Sequence, residues 1–515
     1  MNDPAETLGV IDSAIILSYL LGVLVFGTWF GRRVRSAKDF FVAGRALPFW
    51  AIGMSIVVSD IGALDFIGGA GAAYRYGLAQ ANFDWIGSMP AMLIAAFVFV
   101  PFIWRSGSYT VSEFLGRRYN VRVQIFSALI WLTFLSVNLS VMLWLTSQFL
   151  ETILGWDVHF SIWLTVVIVG IYTVSGGLTA VVMTDVLQMV IMLVGGVALV
   201  VLCLVEAGGW DSMVAKIHAL GEVHDDHFTL LLPHDTPTPY PWSGIVFGLG
   251  IVLSTSYFVA NQAVVQRTLG ARTEWDAKAG MIFAAFFKLL IPIIIYIPGI
   301  AALALYDDIQ DPDRAVPTLV ARILPVGLRG LMFAAFLAAL MSSVDSYLNS
   351  SVTIFMTDIY GKWHRLFKPD GPSSSQTLLL GRLLTAVLMV VAALTARHFE
   401  NDDQPIYVFI QTAFSYFQGP VLAVLLLGIL WRRATGFGGE AGLILGVACT
   451  VSLSYMGERL FPSNDPFLFV SVWGFLFSLA VTVIVSLLTR PEPPEKIEGL
   501  VYGSVVKSKS PGGAP

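Results

Sequence analysis

Long apolar stretches separated by short polar connections run through almost the whole chain. Thirteen of them are long enough to cross a membrane, at roughly 12–31, 48–73, 82–103, 123–152, 159–176, 183–205, 242–267, 276–306, 328–360, 376–397, 404–431, 438–460 and 467–489. About 20 residues, rising 1.5 Å each, span a hydrocarbon core of about 30 Å, so each stretch predicts a transmembrane helix. Ten-residue segments alternating lipid-facing and lumen-facing positions are absent, which excludes an outer-membrane barrel.

Polar positions inside these stretches are few and patterned. Ala339, Ser342, Ser343 and Ser346 recur at i, i+3, i+4 and i+7, so they share one helical face, with Asp345 a turn from Ser342. Close hydroxyls and a carboxylate on one stripe can be oxygen ligands for a small hard cation. The same stripe also reads as a small-residue contact between helices.

Two spans look interrupted. Gly53, Gly62, Gly68, Gly69 and Gly71 surround Ser55, Ser59, Asp60 and Asp65 in the second span. In the seventh, Gly244, Gly248 and Gly250 precede Ser254, Thr255, Ser256, Asn261 and Gln262. Paired glycine-broken spans mark discontinuous helices whose freed backbone binds ions and solute at the bilayer midplane. The two breaks lie five spans apart, as a five-plus-five inverted repeat over about 48–205 and 242–431 requires.

Composition agrees with this reading. Of 515 residues, 56% are hydrophobic and only 13% charged, against about a quarter charged in soluble domains. Basic connections (Gly31–Lys38, Arg105 to Arg122, Arg267–Lys278, Lys362–Lys368, Arg432 and Arg433) alternate with acidic ones at Glu222–Asp226, Asp307–Asp313 and Glu400–Asp403. The positive-inside rule then sets the N-terminus outside and the C-terminus, with Lys507 and Lys509, in the cytoplasm of a cell (inner) membrane. The expected organisation is an external N-terminus at 1–10, a single transmembrane domain at 11–490 and a disordered cytoplasmic tail at 491–515. Cys203 and Cys449 fall within spans, so no disulfide framework is expected. His218, His224, His227 and His234 read as parts of a solvated external loop rather than a metal cluster. No basic patch with interleaved aromatics suggests nucleic acid, and no catalytic constellation suggests an enzyme. The expected surroundings are lipid bilayer, small solute and ions, with the chain acting as a monomer.

Asp60, Asp65, Asp84, Asp185, Lys288 and Asp345 are the ionisable residues within spans. Such groups are costly in a membrane and are functional candidates by default. Five acids against one lysine require bound cations, protons or a cationic substrate.

Several ordered motifs resemble the sodium:solute symporter family, and within it the sodium/glucose cotransporter (SGLT) branch, over about residues 12–460. They are Gly53-Met-Ser-Ile-Val-Val-Ser-Asp-Ile-Gly62 with Phe66-Ile-Gly68, then Phe83-Asp-Trp85, and Gly176-Gly-Leu-Thr-Ala-Val-Val-Met-Thr-Asp-Val-Leu-Gln188. Asn261-Gln-Ala-Val-Val-Gln-Arg267, Phe287-Lys-Leu289, the Ser342-Ser343 helix ending Thr357-Asp-Ile-Tyr360, and Gln411 with Ser415-Tyr416 follow. The resemblance implies an all-helical LeuT-like fold with one extra N-terminal helix and extra C-terminal helices. It implies a main sodium site from the carbonyls of Val58, Ile61 and Ala339 and the hydroxyls of Ser342 and Ser343. A second sodium site, present in some members, would use Asp185, Ser342, Asp345 and Ser346, giving one or two Na+ per cycle, with two the expectation here. Close sugar transporters carry a hydroxyl where this chain has Asp345.

For the solute, Lys288, Gln411 and Asp84 match polar sugar-contacting positions, Tyr257 and Phe258 an inner aromatic pair, and Tyr407 an outer gate. Ser254 lies on the same broken span and joins the expected solute site. Asp60 and Asp65 depart from the sugar transporters, which more often show Asn and then His or Gln. The function implied is sodium-coupled import of a sugar, sugar acid or polyol by alternating access. The alternatives are an amine-bearing solute such as an amino sugar, proton coupling, and a transporter-like sensor.

Overall fold

The structure is a computed structural model that describes residues 9–62, 64–367, 372–401, 406–461 and 466–504. Among the described residues the fold is all helical, and ten helices are long and apolar enough to cross a bilayer. Two further pairs qualify as single bent spans. Phe49–Asp60 and Asp65–Ala81 meet at 63°, and Gly244–Ala260 and Gln262–Leu269 at 52°. These are the two breaks expected from the glycine and polar clusters.

Each break has a local cause. Ile61 leaves the helix in an extended conformation (φ −95°, ψ 94°), and Gly62 follows with its N–H donated to Asp65 Oδ2 at 3.0 Å. Asn261 is likewise extended, and its side-chain oxygen accepts the Ala263 N–H at 3.0 Å. A side chain that caps the new half-helix makes the break affordable where no water is available.

The helix Val158–Ala207 has 50 residues, about 75 Å at 1.5 Å per residue, more than twice the hydrocarbon thickness. It breaks at Gly177, where φ is +49° and a Cβ would strike the Phe40 carbonyl oxygen. Only glycine suits that position. The stretches expected at 159–176 and 183–205 lie on either side of it.

The serine-bearing helix Leu328–Ile354 is the centre of the bundle, buried at almost every position from Gly330 onward. A Cβ on Gly195 would lie 2.9 Å from that of Ala335, so small residues do let neighbouring backbones approach. The half-helix Gln262–Leu269 is also buried throughout. Gln262 accepts the Val111 N–H at 3.2 Å and donates to the Tyr109 carbonyl at 2.9 Å. Gln266 donates to the Phe41 carbonyl at 2.5 Å and to Thr353 Oγ1 at 2.8 Å. These bonds tie the half-helix to the segments holding Phe41, Tyr109, Val111 and Thr353.

The expected tail is corrected in part. Residues 491–504 pack onto the bundle: Glu492 accepts the Gly436 N–H at 2.8 Å and pairs with Lys496, and Tyr502 N–H donates to the Ile429 carbonyl at 2.7 Å. Val501 is fully buried. Ile497, Leu500 and Val501 give this stretch an apolar anchor that its proline and charge content masks. Residues 505–515, including Lys507 and Lys509, lie outside the described residues.

Candidate ion and solute site

Three polar clusters meet where the first broken span crosses the serine helix. The first lies at the break itself. Ser343 Oγ is 3.3 Å from the Ser59 carbonyl and 3.2 Å from the Ala339 carbonyl. A Cβ on Gly62 would stand 2.8 Å from Ser343 Oγ, so the backbone reaches the hydroxyl only because residue 62 is glycine. Val58 and Ile61, on either side of Ser59 and Asp60, are fully buried at this crossing.

Ser342 turns the other way. Adjacent helical residues point about 100° apart, and the Ser342 hydroxyl donates to Asp185 Oδ1 at 2.5 Å and contacts Ser59 Oγ at 2.8 Å. The hydroxyls of Ser342 and Ser343, expected on one ion, thus serve two clusters.

The second cluster gathers Asp185 and Ser346, with Ser342 bonded to Asp185 and Asp345 bonded to Ser346, around a residue that the sequence reading placed in a cytoplasmic loop. Arg267, 1% exposed, enters from Gln262–Leu269, the second half of the second broken span. Its Nη2 lies 3.1 Å from Asp185 Oδ2 and 2.5 Å from Ser346 Oγ, its Nε lies 2.5 Å from Ser55 Oγ, and Nη2 also reaches Ser59. Ser55 donates to Asp185 as well. Asp345 accepts from the Tyr172 hydroxyl at 2.7 Å and from Ser346 at 3.2 Å. Two of the four residues expected at a second sodium site, Asp185 and Ser346, therefore already contact a fixed cation whose fork geometry suits carboxylate and hydroxyl oxygens. Arg267 ends the apolar stretch at 242–267. The signal that could have found it is Asn261, whose capping turns the helix back into the protein.

The third cluster lines a cavity beside the break in the first broken span. Asp60, Asp65, Asp84, Ser254, Tyr257, Phe258, Lys288 and Gln411 all line it, with Gly62 and Ser343 at its edge. Lys288 pairs with Asp60 and with Asp84 Oδ1, the latter at 2.6 Å, and Asp84 Oδ2 accepts the Tyr296 hydroxyl at 3.0 Å. Tyr257 packs edge-on against Phe258 and Phe414, ring centroids 5.1 and 5.8 Å apart. Asn138 and Gln418 line the same cavity without having been anticipated. The Tyr407 side chain lies outside the described residues. No group of three or more His, Cys, Asp or Glu side chains among the described residues could hold a metal. His224 and His227 do meet, ring nitrogens 3.4 Å apart, in the segment Glu222–Phe228.

Comparison with known proteins adds a lineage to this geometry. Residues 40–446 match the family model of the sodium:solute symporter family. The chain is 32% identical to the sodium/glucose cotransporter of Vibrio parahaemolyticus, over 95% of this chain and 92% of that one. It is 33% identical to the sodium/myo-inositol cotransporter of Canis lupus familiaris, over 96% of this chain and 75% of that one. A solved Na+-coupled sialic acid symporter, in a substrate-bound outward-open state, superposes with a TM-score of 0.81 at 24% identity, covering 94% of this chain and 99% of that one.

Proposed function

We propose, for a chain that belongs to the sodium:solute symporter family, that it imports one small hydroxyl-rich solute of the sugar or polyol class together with one sodium ion. The observation that carries this reading is the shared edge of two clusters. Gly62 and Ser343 belong both to the break in the first span and to the wall of the solute cavity. An ion held by the Val58, Ile61 and Ala339 carbonyls and the Ser343 hydroxyl fixes the angle of the break. That angle positions Asp65, which bonds back to Gly62, against the solute. Ion and solute then tighten each other reciprocally.

Neutral carbonyl and hydroxyl oxygens suit sodium, because they can release it when the inner half of the span moves. The solute's hydroxyls are met by Asp84, Gln411 and Ser254, with Lys288 held between Asp60 and Asp84 as a fixed donor. Tyr257, Phe258 and Phe414 cover an apolar face and separate the cavity from the inner half-helix. Arg267 supplies the second positive charge from the protein itself, which is why a single sodium is proposed where two were expected. A sugar acid suits the cavity poorly, since its carboxylate meets surplus acid. Glucose and myo-inositol, carried by the relatives named above, are both uncharged and hydroxyl-rich.

The proposed setting is a cell membrane crossed thirteen times by one functional monomer, N-terminus outside. Rocking about the serine helix exposes the cavity to each side in turn, and the buried half-helix Gln262–Leu269 is the inner barrier that must withdraw. The test is thermal stabilisation of detergent-purified protein by sugars, polyols and amino sugars, with sodium or potassium at fixed ionic strength. Stabilisation by a solute that requires sodium supports the reading. A solute that binds equally in potassium refutes sodium coupling and turns attention to protons, and binding of none refutes the solute class.

A further inference from the structure

We infer that the solute carries a protonated amino group beside its hydroxyls, and that the Asp65 carboxylate receives it. This rests on the symporter reading above and narrows it. The cavity wall presents the carboxylates of Asp60, Asp65 and Asp84 against one ammonium, Lys288, a surplus of two negative charges. Lys288 is committed to Asp60 and Asp84. Among the described residues, Asp65 has no Lys, Arg or His nitrogen within 4.0 Å. Its one donor among the described residues is the Gly62 N–H at 3.0 Å, on a single oxygen, and a carboxylate has lone pairs for several more.

An unpaired buried charge is costly, and the structure limits what can cancel this one. Sodium at the neutral oxygens of the break removes one negative charge. The other acidic cluster holds its own cation in Arg267 and shares none with the cavity. One negative charge is left for a cationic group of the solute, or a proton, to answer. A neutral sugar leaves it standing, and a sugar acid adds to it.

An independent observation points the same way. Asn138, 2% exposed, lines the cavity with its Oδ1 lacking any hydrogen-bond partner among the described residues. Its orientation is fixed, because Nδ2 donates to the Phe134 carbonyl at 3.0 Å and a carbonyl oxygen could not. Gln418 Oε1, also buried on this wall, is likewise without a partner. The cavity therefore offers unused acceptor lone pairs at Asn138 and Gln418 beside its three carboxylates. An ammonium group brings three donors and no acceptor, and the aromatic residues Tyr257 and Phe414 also line the cavity.

The experiment uses full-length protein in detergent with sodium or potassium at fixed ionic strength. Half-maximal stabilisation is measured for glucosamine, galactosamine and mannosamine, each beside its N-acetyl form and its parent hexose, at a pH where the amine is charged. In sodium, at least one amino hexose is expected to act at a concentration tenfold or more below both of its uncharged counterparts. Asp65→Asn should erase that preference, and Asp65→Glu should keep it. Retained stabilisation by sodium alone shows that each variant is folded. The inference is overturned if every amino hexose is matched by an uncharged counterpart, if none binds, or if Asp65→Asn weakens charged and uncharged sugars equally. A neutral hexose that binds only with sodium sinks the amine while leaving the symporter standing. Loss of sodium dependence for every probe sinks the symporter reading itself.

Discussion

Replacing Arg267 by Gln tests how the acidic nest is neutralised. The guanidinium is 1% exposed and Asp185 fully buried, and the two lie 3.1 Å apart. Removing one partner of such a pair leaves an uncompensated charge and costs about 3–5 kcal/mol. Gln restores at most one or two of the donors that Ser55, Ser59, Ser346 and Asp185 now share. Thermal unfolding in sodium-free potassium medium is the first readout, and Arg267→Gln should melt well below the parent. Adding Asp185→Asn should recover most of the loss, since an amide beside Ser342 and Ser55 needs no cation. Sodium is the second readout. An ion entering the emptied nest stabilises by RT ln(1 + [Na+]/Kd), about 2.7 kcal/mol at a hundred times Kd. The single variant should therefore regain stability on sodium addition more steeply than the parent. Equal melting of parent and variant without sodium, or no recovery with Asp185→Asn, would refute the assignment of Arg267 as the resident cation.

Other outcomes follow from the geometry. Ser343→Ala deletes the hydroxyl between the Ser59 and Ala339 carbonyls, and the sodium concentration for half-maximal uptake should rise about tenfold, the factor equivalent to about 1.4 kcal/mol; unchanged sodium dependence would show the ion to lie elsewhere. Gly62→Ala places a Cβ 2.8 Å from Ser343 Oγ and should weaken sodium and solute binding together, read in parallel titrations. Against the second half of the first broken span, His227 is buried with Nε2 3.2 Å from the Tyr74 carbonyl. Burial pushes its pKa below the usual histidine value, although the Tyr74 carbonyl pulls it back up. The native state then binds fewer protons than the unfolded chain, so this stabilisation is complete above about pH 6.5 and fades as the medium acidifies below it. Melting temperatures from about pH 7.5 to about 5.5 should fall more for the parent than for His227→Gln.

The spans were legible because apolar length alone specifies a transmembrane helix, and both breaks because glycine and polar residues have few other uses there. The serine stripe was legible from its three-and-four spacing. What spacing could not give is direction at the scale of one residue. Ser342 and Ser343 share a face in the coarse sense, yet a turn of about 100° commits one to Asp185 and the other to the break. Arg267 was hidden for another reason. A charge at the end of an apolar stretch ordinarily meets water, and only the redirected half-helix carries this one inward. Residues 491–504 were misjudged because three apolar side chains and a few backbone bonds outweigh a composition that otherwise argues for disorder.

A positive charge tethered to the chain is not a co-substrate: Arg267 stays with the carrier when its cargo leaves. If one sodium and one amine-bearing solute cross together, two charges traverse the bilayer field per turnover. Each gains about 2.3 kcal/mol per 100 mV. The membrane voltage then acts on the cargo directly as well as through its partner ion. Such a carrier accumulates its solute as steeply against voltage as one moving two sodium ions with a neutral sugar, while drawing on the sodium gradient only once. It would keep concentrating its solute where sodium is scarce, provided that the membrane stays polarised.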